Sequence, residues 1–60
     1  MLTTTLQDEL ITRLRKSLQW KGEHLVASEG DYNLTMMPGP NSSTFTLLYN
    51  GEEIKKWTED

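Results

Sequence analysis

Asn50-Gly51 constrains this chain more than any other pair of residues. It separates two strand-like runs, Thr44-Phe45-Thr46-Leu47-Leu48-Tyr49 and Glu52-Glu53-Ile54-Lys55-Lys56-Trp57. Asn and Gly accept positive φ at both central positions of a type I′ turn, and that turn has the twist of two paired strands. A two-residue turn here pairs Tyr49 with Glu52. Counting outward, Leu47 faces Ile54, Phe45 faces Lys56 and Thr44 faces Trp57. Because successive strand residues point to opposite faces, this register also sorts the side chains into two sets.

Two further turn signals extend the count. Pro38-Gly39-Pro40-Asn41-Ser42-Ser43 breaks the chain between apolar runs, and Gly30-Asp31 has glycine first, as a type II′ turn prefers. A symmetric loop at 38–43 pairs Met37 with Thr44, Met36 with Phe45, Leu34 with Leu47 and Tyr32 with Tyr49. A two-residue turn at Gly30-Asp31 then sets Ala27 against Leu34 and Leu25 against Met36. The three turns agree in placing Leu25, Ala27, Tyr32, Leu34, Met36, Phe45, Leu47, Tyr49 and Ile54 on one face. The segments carry Val, Thr, Tyr and Phe, which suit a pleated surface. Strands are predicted at about 24–29, 32–37, 44–49 and 52–57. The last segment competes with a helical turn, since Glu and Lys favour helix; the preceding Asn-Gly decides for a strand.

The first third reads as a helix from about Thr5 to Trp20. Leu6, Leu10, Leu14 and Leu18 recur every four residues and, with Ile11, form one apolar stripe. Thr3, Thr4 and Thr5 are candidate N-caps, and Thr4 with Gln7 has capping-box spacing. Gly22 follows the last periodic turn, where a left-handed residue ends helices. The predicted fold is therefore α+β in the order α-β-β-β-β, with one N-terminal amphipathic helix covering one face of a four-stranded antiparallel meander.

Sixty residues make a single small domain, 1–60, of marginal stability. The sequence has no cysteine, which excludes disulfides, thiolate metal sites and thiol nucleophiles and fits a reducing, cytoplasmic setting. The N-terminal residues lack the basic and apolar regions of a signal peptide, and no apolar run approaches membrane-spanning length, so no membrane role is expected. Net charge is −3, which disfavours non-specific binding to nucleic acid.

The face opposite the helix is the first candidate site. The register gives rows of His24, Met37, Thr44 and Trp57; of Val26, Thr35, Thr46 and Lys55; and of Ser28, Asn33, Leu48 and Glu53. A threonine-rich sheet face is ordinarily just a solvated surface. Trp57, Met37, His24, Thr44 and Leu48 make this one a candidate protein-binding surface, since Trp and Met are enriched where proteins meet. The partner would be another protein or a second copy of the chain, as a homodimer. The outer strands add unpaired backbone edges that a further strand could extend.

Arg13, Arg15, Lys16 and Lys21, beside Trp20, are the alternative site, for nucleic acid; the bland reading is a solvated helix face suited to the helix C-terminal half. Helix followed by antiparallel strands resembles the double-stranded-RNA-binding domain in topology only: the lysine cluster opening a C-terminal helix, which carries much of that family's RNA contact, is missing. Enzymatic chemistry is not expected. His24 is the lone histidine, and no spacing selects a nucleophile or carboxylate to act with it. Gly39 between two prolines lacks the amide donors of a phosphate loop. No cofactor, metal or small-molecule substrate is predicted. The expected role is a small accessory or regulatory protein that binds through its open sheet face.

Overall fold

A computed structural model describes residues 4–60. Helix α1 (Thr4–Lys16) is followed by β1 (Gln19–Lys21), β2 (His24–Glu29), β3 (Tyr32–Pro38), β4 (Ser43–Tyr49) and β5 (Glu52–Glu59). All five strands form one antiparallel sheet in the order β1-β2-β3-β4-β5. The α+β meander expected from the sequence is present, with one strand more than the four predicted. Of the three candidate N-caps, Thr3 lies outside the described residues, and Thr4 and Thr5 are within the helix.

The extra strand comes from the end of the predicted helix. α1 stops at Lys16, four residues short of Trp20. The Ser17 amide donates to the Leu14 carbonyl at 3.0 Å, a tightened closing turn, and the Ser17 hydroxyl donates to the Arg13 carbonyl at 3.2 Å. These bonds serve carbonyls that a helix end leaves open. Gly22 does not cap the helix. Its φ of 69° opens a two-residue turn that pairs Lys21 with His24. Gly22-Glu23 thus repeats the chemistry of Gly30-Asp31, and residues 19–21 are drawn into the sheet.

The registers counted from the inner turns hold. Leu25 pairs with Met36 and Ala27 with Leu34; Tyr32 pairs with Tyr49, Leu34 with Leu47, Met36 with Phe45 and Met37 with Thr44. Asn50 and Gly51 have φ of 52° and 82°, the two positive values of a type I′ turn, and Tyr49 pairs with Glu52 as expected.

Two residues further on, the count fails. Leu48 pairs with Glu53, but Leu47 pairs with Lys55, so Ile54 is the extra residue of a β-bulge. Beyond a bulge every side chain changes face relative to a simple count. Phe45 therefore faces Trp57, not Lys56, and Thr44 faces Thr58, not Trp57. Ile54, expected in the core, is 43% exposed.

The core lies between α1 and one sheet face. Leu10, Ile11 and Leu14 of the helix meet Ala27, Leu34, Phe45 and Leu47, with Leu18, Tyr32, Met36 and Trp57 packed around them. Leu14, Leu34 and Leu47 are fully buried. Two residues of the expected apolar sets sit at the margin: Leu6, 48% exposed, and Tyr49, 41% exposed. Tyr49 still packs on the Tyr32 ring, 4.8 Å between centroids.

Candidate functional site

Each strand has a helix side and an open side, and the pairings fix which residues share the open one. One row runs through all five strands: Gln19, Val26, Thr35, Thr46 and Lys56. A second contains Lys21 with His24, and Met37 with Thr44 and Thr58. The third is Ser28, Asn33, Leu48 and Glu53.

Four of the five predicted protein-binding residues (His24, Met37, Thr44 and Leu48) lie on this open face. Trp57 does not. The bulge turns it to the helix side, where its ring stacks on Phe45 with centroids 5.2 Å apart and planes 8° from parallel. The same shift exchanges Lys55 for Lys56 and brings Thr58 into the place expected for Trp57. The residues that the sequence count missed are Gln19, Lys21, Lys56 and Thr58. The first two were legible in the glycine-first turn at Gly22-Glu23, whose register extends the Val26 row by one strand.

The open face has a distinctive charge pattern. On β2, β3 and β4 its nine positions are His24, Val26, Ser28, Asn33, Thr35, Met37, Thr44, Thr46 and Leu48, and none is Asp, Glu, Lys or Arg. The charges sit on the two outer strands: Lys21 on β1, Lys56 and Glu53 on β5. Met37 is 50% exposed, while Val26, Thr35, Thr44, Thr46 and Leu48 are half-buried by their neighbours. An uncharged centre with aliphatic and methyl-bearing side chains, rimmed by charge, is the anatomy of a protein interface. Towards β1 the face dips into a hollow of about 570 Å³, lined by Ser17, Gln19, Lys21, Val26, Ala27, Ser28, Asn33 and Thr35. No acid lines it.

Trp57 belongs instead to a polar clasp on the helix side. Glu59 accepts two bonds from the Arg15 guanidinium, both 2.8 Å, and one from the Trp57 indole N–H at 2.8 Å. Arg15 lies 4.8 Å over the Phe45 ring, and the Lys55 ammonium 5.2 Å from the Trp57 ring. The Trp57 indole bond, and then Arg15, hold the Glu59 carboxyl below its ordinary pKa. Across the helix, Arg13 makes a bidentate pair with Glu29, at 3.0 and 2.7 Å. Its hydrogen bonds lower the Glu29 pKa and raise that of Arg13.

These pairs bear on the alternative basic site. Arg13 reaches β2 and Arg15 reaches β5, so the two guanidinium groups diverge. Lys21 lies on the open face. Trp20, opposite Leu25 on the helix side, is 66% exposed. Arg13, Arg15 and Lys21 do not converge on one surface. Among the described residues, no group of three His, Asp or Glu side chains has the arrangement of a metal site, and no helix is long and apolar enough to cross a membrane. Comparisons with protein-family models, curated proteins and solved structures gave no match.

Proposed function

We propose that this protein is a small binding module, accessory or regulatory in role, whose open sheet face docks against another protein surface. The observation that carries this reading is the charge distribution on that face. Nine positions on three adjacent strands hold no Asp, Glu, Lys or Arg, in a chain with fifteen such residues, and that depletion of charge marks the centre of a protein interface; the hydroxyls, amide and imidazole among them would need hydrogen-bond partners across the contact. Exposed Met37 and half-buried Leu48 and Val26 supply adaptable apolar contact. The cysteine-free composition suits a cytoplasmic setting.

The nucleic-acid reading of the Arg13–Lys21 segment draws less support, because Arg13 and Arg15 are each already held by a carboxylate in bidentate geometry. A phosphate would have to displace it.

The test is affinity capture from the native host with wild-type protein, Met37→Lys and Leu48→Lys. A partner held by the wild type and lost from both variants, with circular dichroism unchanged, supports the reading. Capture that survives both charges would place the interface elsewhere and overturn it.

A further inference from the structure

We propose that Asn50-Gly51 is a self-modifying site. The Asn50 side chain deamidates through a cyclic imide when the β4–β5 turn opens, and the isoaspartyl product keeps the hairpin from re-forming. This is independent of what the open sheet face binds.

The chemistry resides in the pair itself. The Gly51 amide nitrogen attacks Cγ of Asn50. The new N–Cγ bond forms, the Cγ–Nδ2 bond breaks, and ammonia leaves with the amide proton. Water then opens the five-membered ring at either carbonyl, giving an aspartyl or an isoaspartyl residue. Glycine has no Cβ to hinder this attack. Its N–H is also uncommitted, because the closing bonds of a two-residue turn belong to the flanking pair, here Tyr49 and Glu52. Asn50 and Gly51 are both exposed, so water reaches the ring. The other asparagines, Asn33 and Asn41, precede Leu34 and Ser42, whose side chains crowd the attacking nitrogen.

The folded turn holds the reacting atoms apart. Ring closure needs Cβ of Asn50 and the nitrogen of Gly51 nearly eclipsed about the Cα–C bond. The φ values of 52° and 82° are those of a type I′ turn, whose first central residue has ψ of about +30°. Cβ stands about 120° round from the residue's own nitrogen, which leaves Cβ and the Gly51 nitrogen about 150° apart about that bond. They are nearly anti, and no type I′ turn survives the rotation that brings them together. The Asn50 N–H also donates to the Asp31 carbonyl at 3.0 Å, tying this turn to the one between β2 and β3. The reaction therefore waits for the turn to open.

The turn end is the part of the hairpin held least. Between the turn and the bulge only Tyr49–Glu52 and Leu48–Glu53 pair, and Glu52, Glu53 and Ile54 are all exposed. β5 is an edge strand, anchored farther along by Trp57 on Phe45 and by the bonds of Arg15 and Trp57 to Glu59. Local opening draws on such thinly packed segments. An isoaspartyl residue lengthens the turn backbone by one atom and leaves a carboxylate near Asp31, Glu52 and Glu53. A two-residue turn that sets register by its twist cannot absorb the extra atom. The modified hairpin thus loses the register that brings Trp57 to Phe45.

The experiment incubates the full chain at one pH and temperature, folded and in urea. Digestion and mass spectrometry locate the amide-to-acid mass gain and the isoaspartyl linkage. In urea, Asn50 should react faster than Asn33 and Asn41. In the folded chain it should react roughly tenfold or more slowly than in urea. Trp57→Ala and Glu59→Gln loosen β5, and at least one should raise the folded rate roughly threefold or more, with exposed Asn41 as the internal reference. Isoaspartyl protein, separated by ion exchange in a Trp20→Phe background, should show red-shifted Trp57 emission. A folded rate equal to the urea rate, a folded rate that neither variant moves, or isoaspartyl protein with native Trp57 emission overturns the proposal.

Discussion

Replacing Trp57 by alanine tests the bulge and the core together. A tryptophan buries some 150–250 Å² when fully packed. Trp57 is half-buried, so at about 25 cal/mol per Å² its loss removes about 2–3 kcal/mol of apolar burial. Stacking on Phe45 adds about 0.5–1.5 kcal/mol. The expected cost is thus about 3–4 kcal/mol. A chain of sixty residues has a total stability of roughly 3–9 kcal/mol. Trp57→Ala should therefore leave a protein that is partly unfolded at room temperature or has a melting temperature lower by some 15–30 °C. Ile54→Ala is the internal comparison. Ile54 is 43% exposed, and half of a buried isoleucine's contribution is about 1 kcal/mol. The order of the two effects decides the matter. A hairpin without the bulge would put Ile54 in the core and Trp57 on the open face, so Ile54→Ala would be the more damaging change. Urea denaturation followed by far-ultraviolet circular dichroism measures both. If Trp57→Ala cost under 1 kcal/mol and Ile54→Ala cost more, the bulge and the clasp around Glu59 would both be refuted.

Three other perturbations have defined outcomes. Deleting Ile54 removes the extra residue but keeps Trp57 opposite Phe45 and Lys55 opposite Leu47, so the protein should remain folded. Its Trp57 emission, read in a Trp20→Phe background, should stay blue-shifted, and a red shift to fully solvated emission would contradict this. Gly22→Val forces a β-branched residue to φ of 69° and should cost about 1–2 kcal/mol or more in thermal or urea unfolding; a neutral effect would mean that β1 is not held by this turn. Glu59 and Glu29 have folded pKa values below the ordinary 4.5. Groups depressed on folding add stability that is complete above the unfolded value and is lost as pH falls through the folded one. Their contribution should be flat from neutral pH down to about 4.5 and decline below it. Glu59→Gln should lower the neutral-pH melting temperature and make the acid decline shallower, whereas an unchanged profile would show that the Arg15–Glu59 clasp adds nothing.

Where the sequence was legible, the reason was local chemistry that no tertiary contact had to decide. Asn50-Gly51 and Gly30-Asp31 each set a pairing by φ preference alone, a symmetric Pro38–Ser43 loop sets the third, and the pairings through Tyr49–Glu52 follow from counting. The same rule applied to Gly22-Glu23 would have revealed β1, but the leucine repeat through Leu18 favours continuing the helix. Periodicity and turn chemistry compete over residues 17–21, and the turn prevails because pairing Lys21 with His24 satisfies backbone groups that a frayed final helical turn would leave to water.

The bulge was beyond counting for a different reason. On the helix side, a regular β5 would place Ile54 and Lys56 next to Leu47 and Phe45. It would leave Trp57 in solvent and Glu59 out of reach of Arg15. One unpaired residue exchanges a partly exposed isoleucine for a stacked tryptophan, and lets one carboxylate bind both the Trp57 indole and the Arg15 guanidinium. That balance depends on α1 presenting Arg15 above Phe45, a contact between residues thirty positions apart that no window along β5 contains. Its effect reaches the far side of the sheet. By drawing Trp57 inward, the bulge takes the largest aromatic off the open face and puts Thr58 in its row. The remaining centre has no Asp, Glu, Lys or Arg and no Trp, Tyr or Phe, so any affinity it has must come from extended complementarity and not from one anchoring residue. A single alanine substitution there should therefore change little, and an inserted charge should change much.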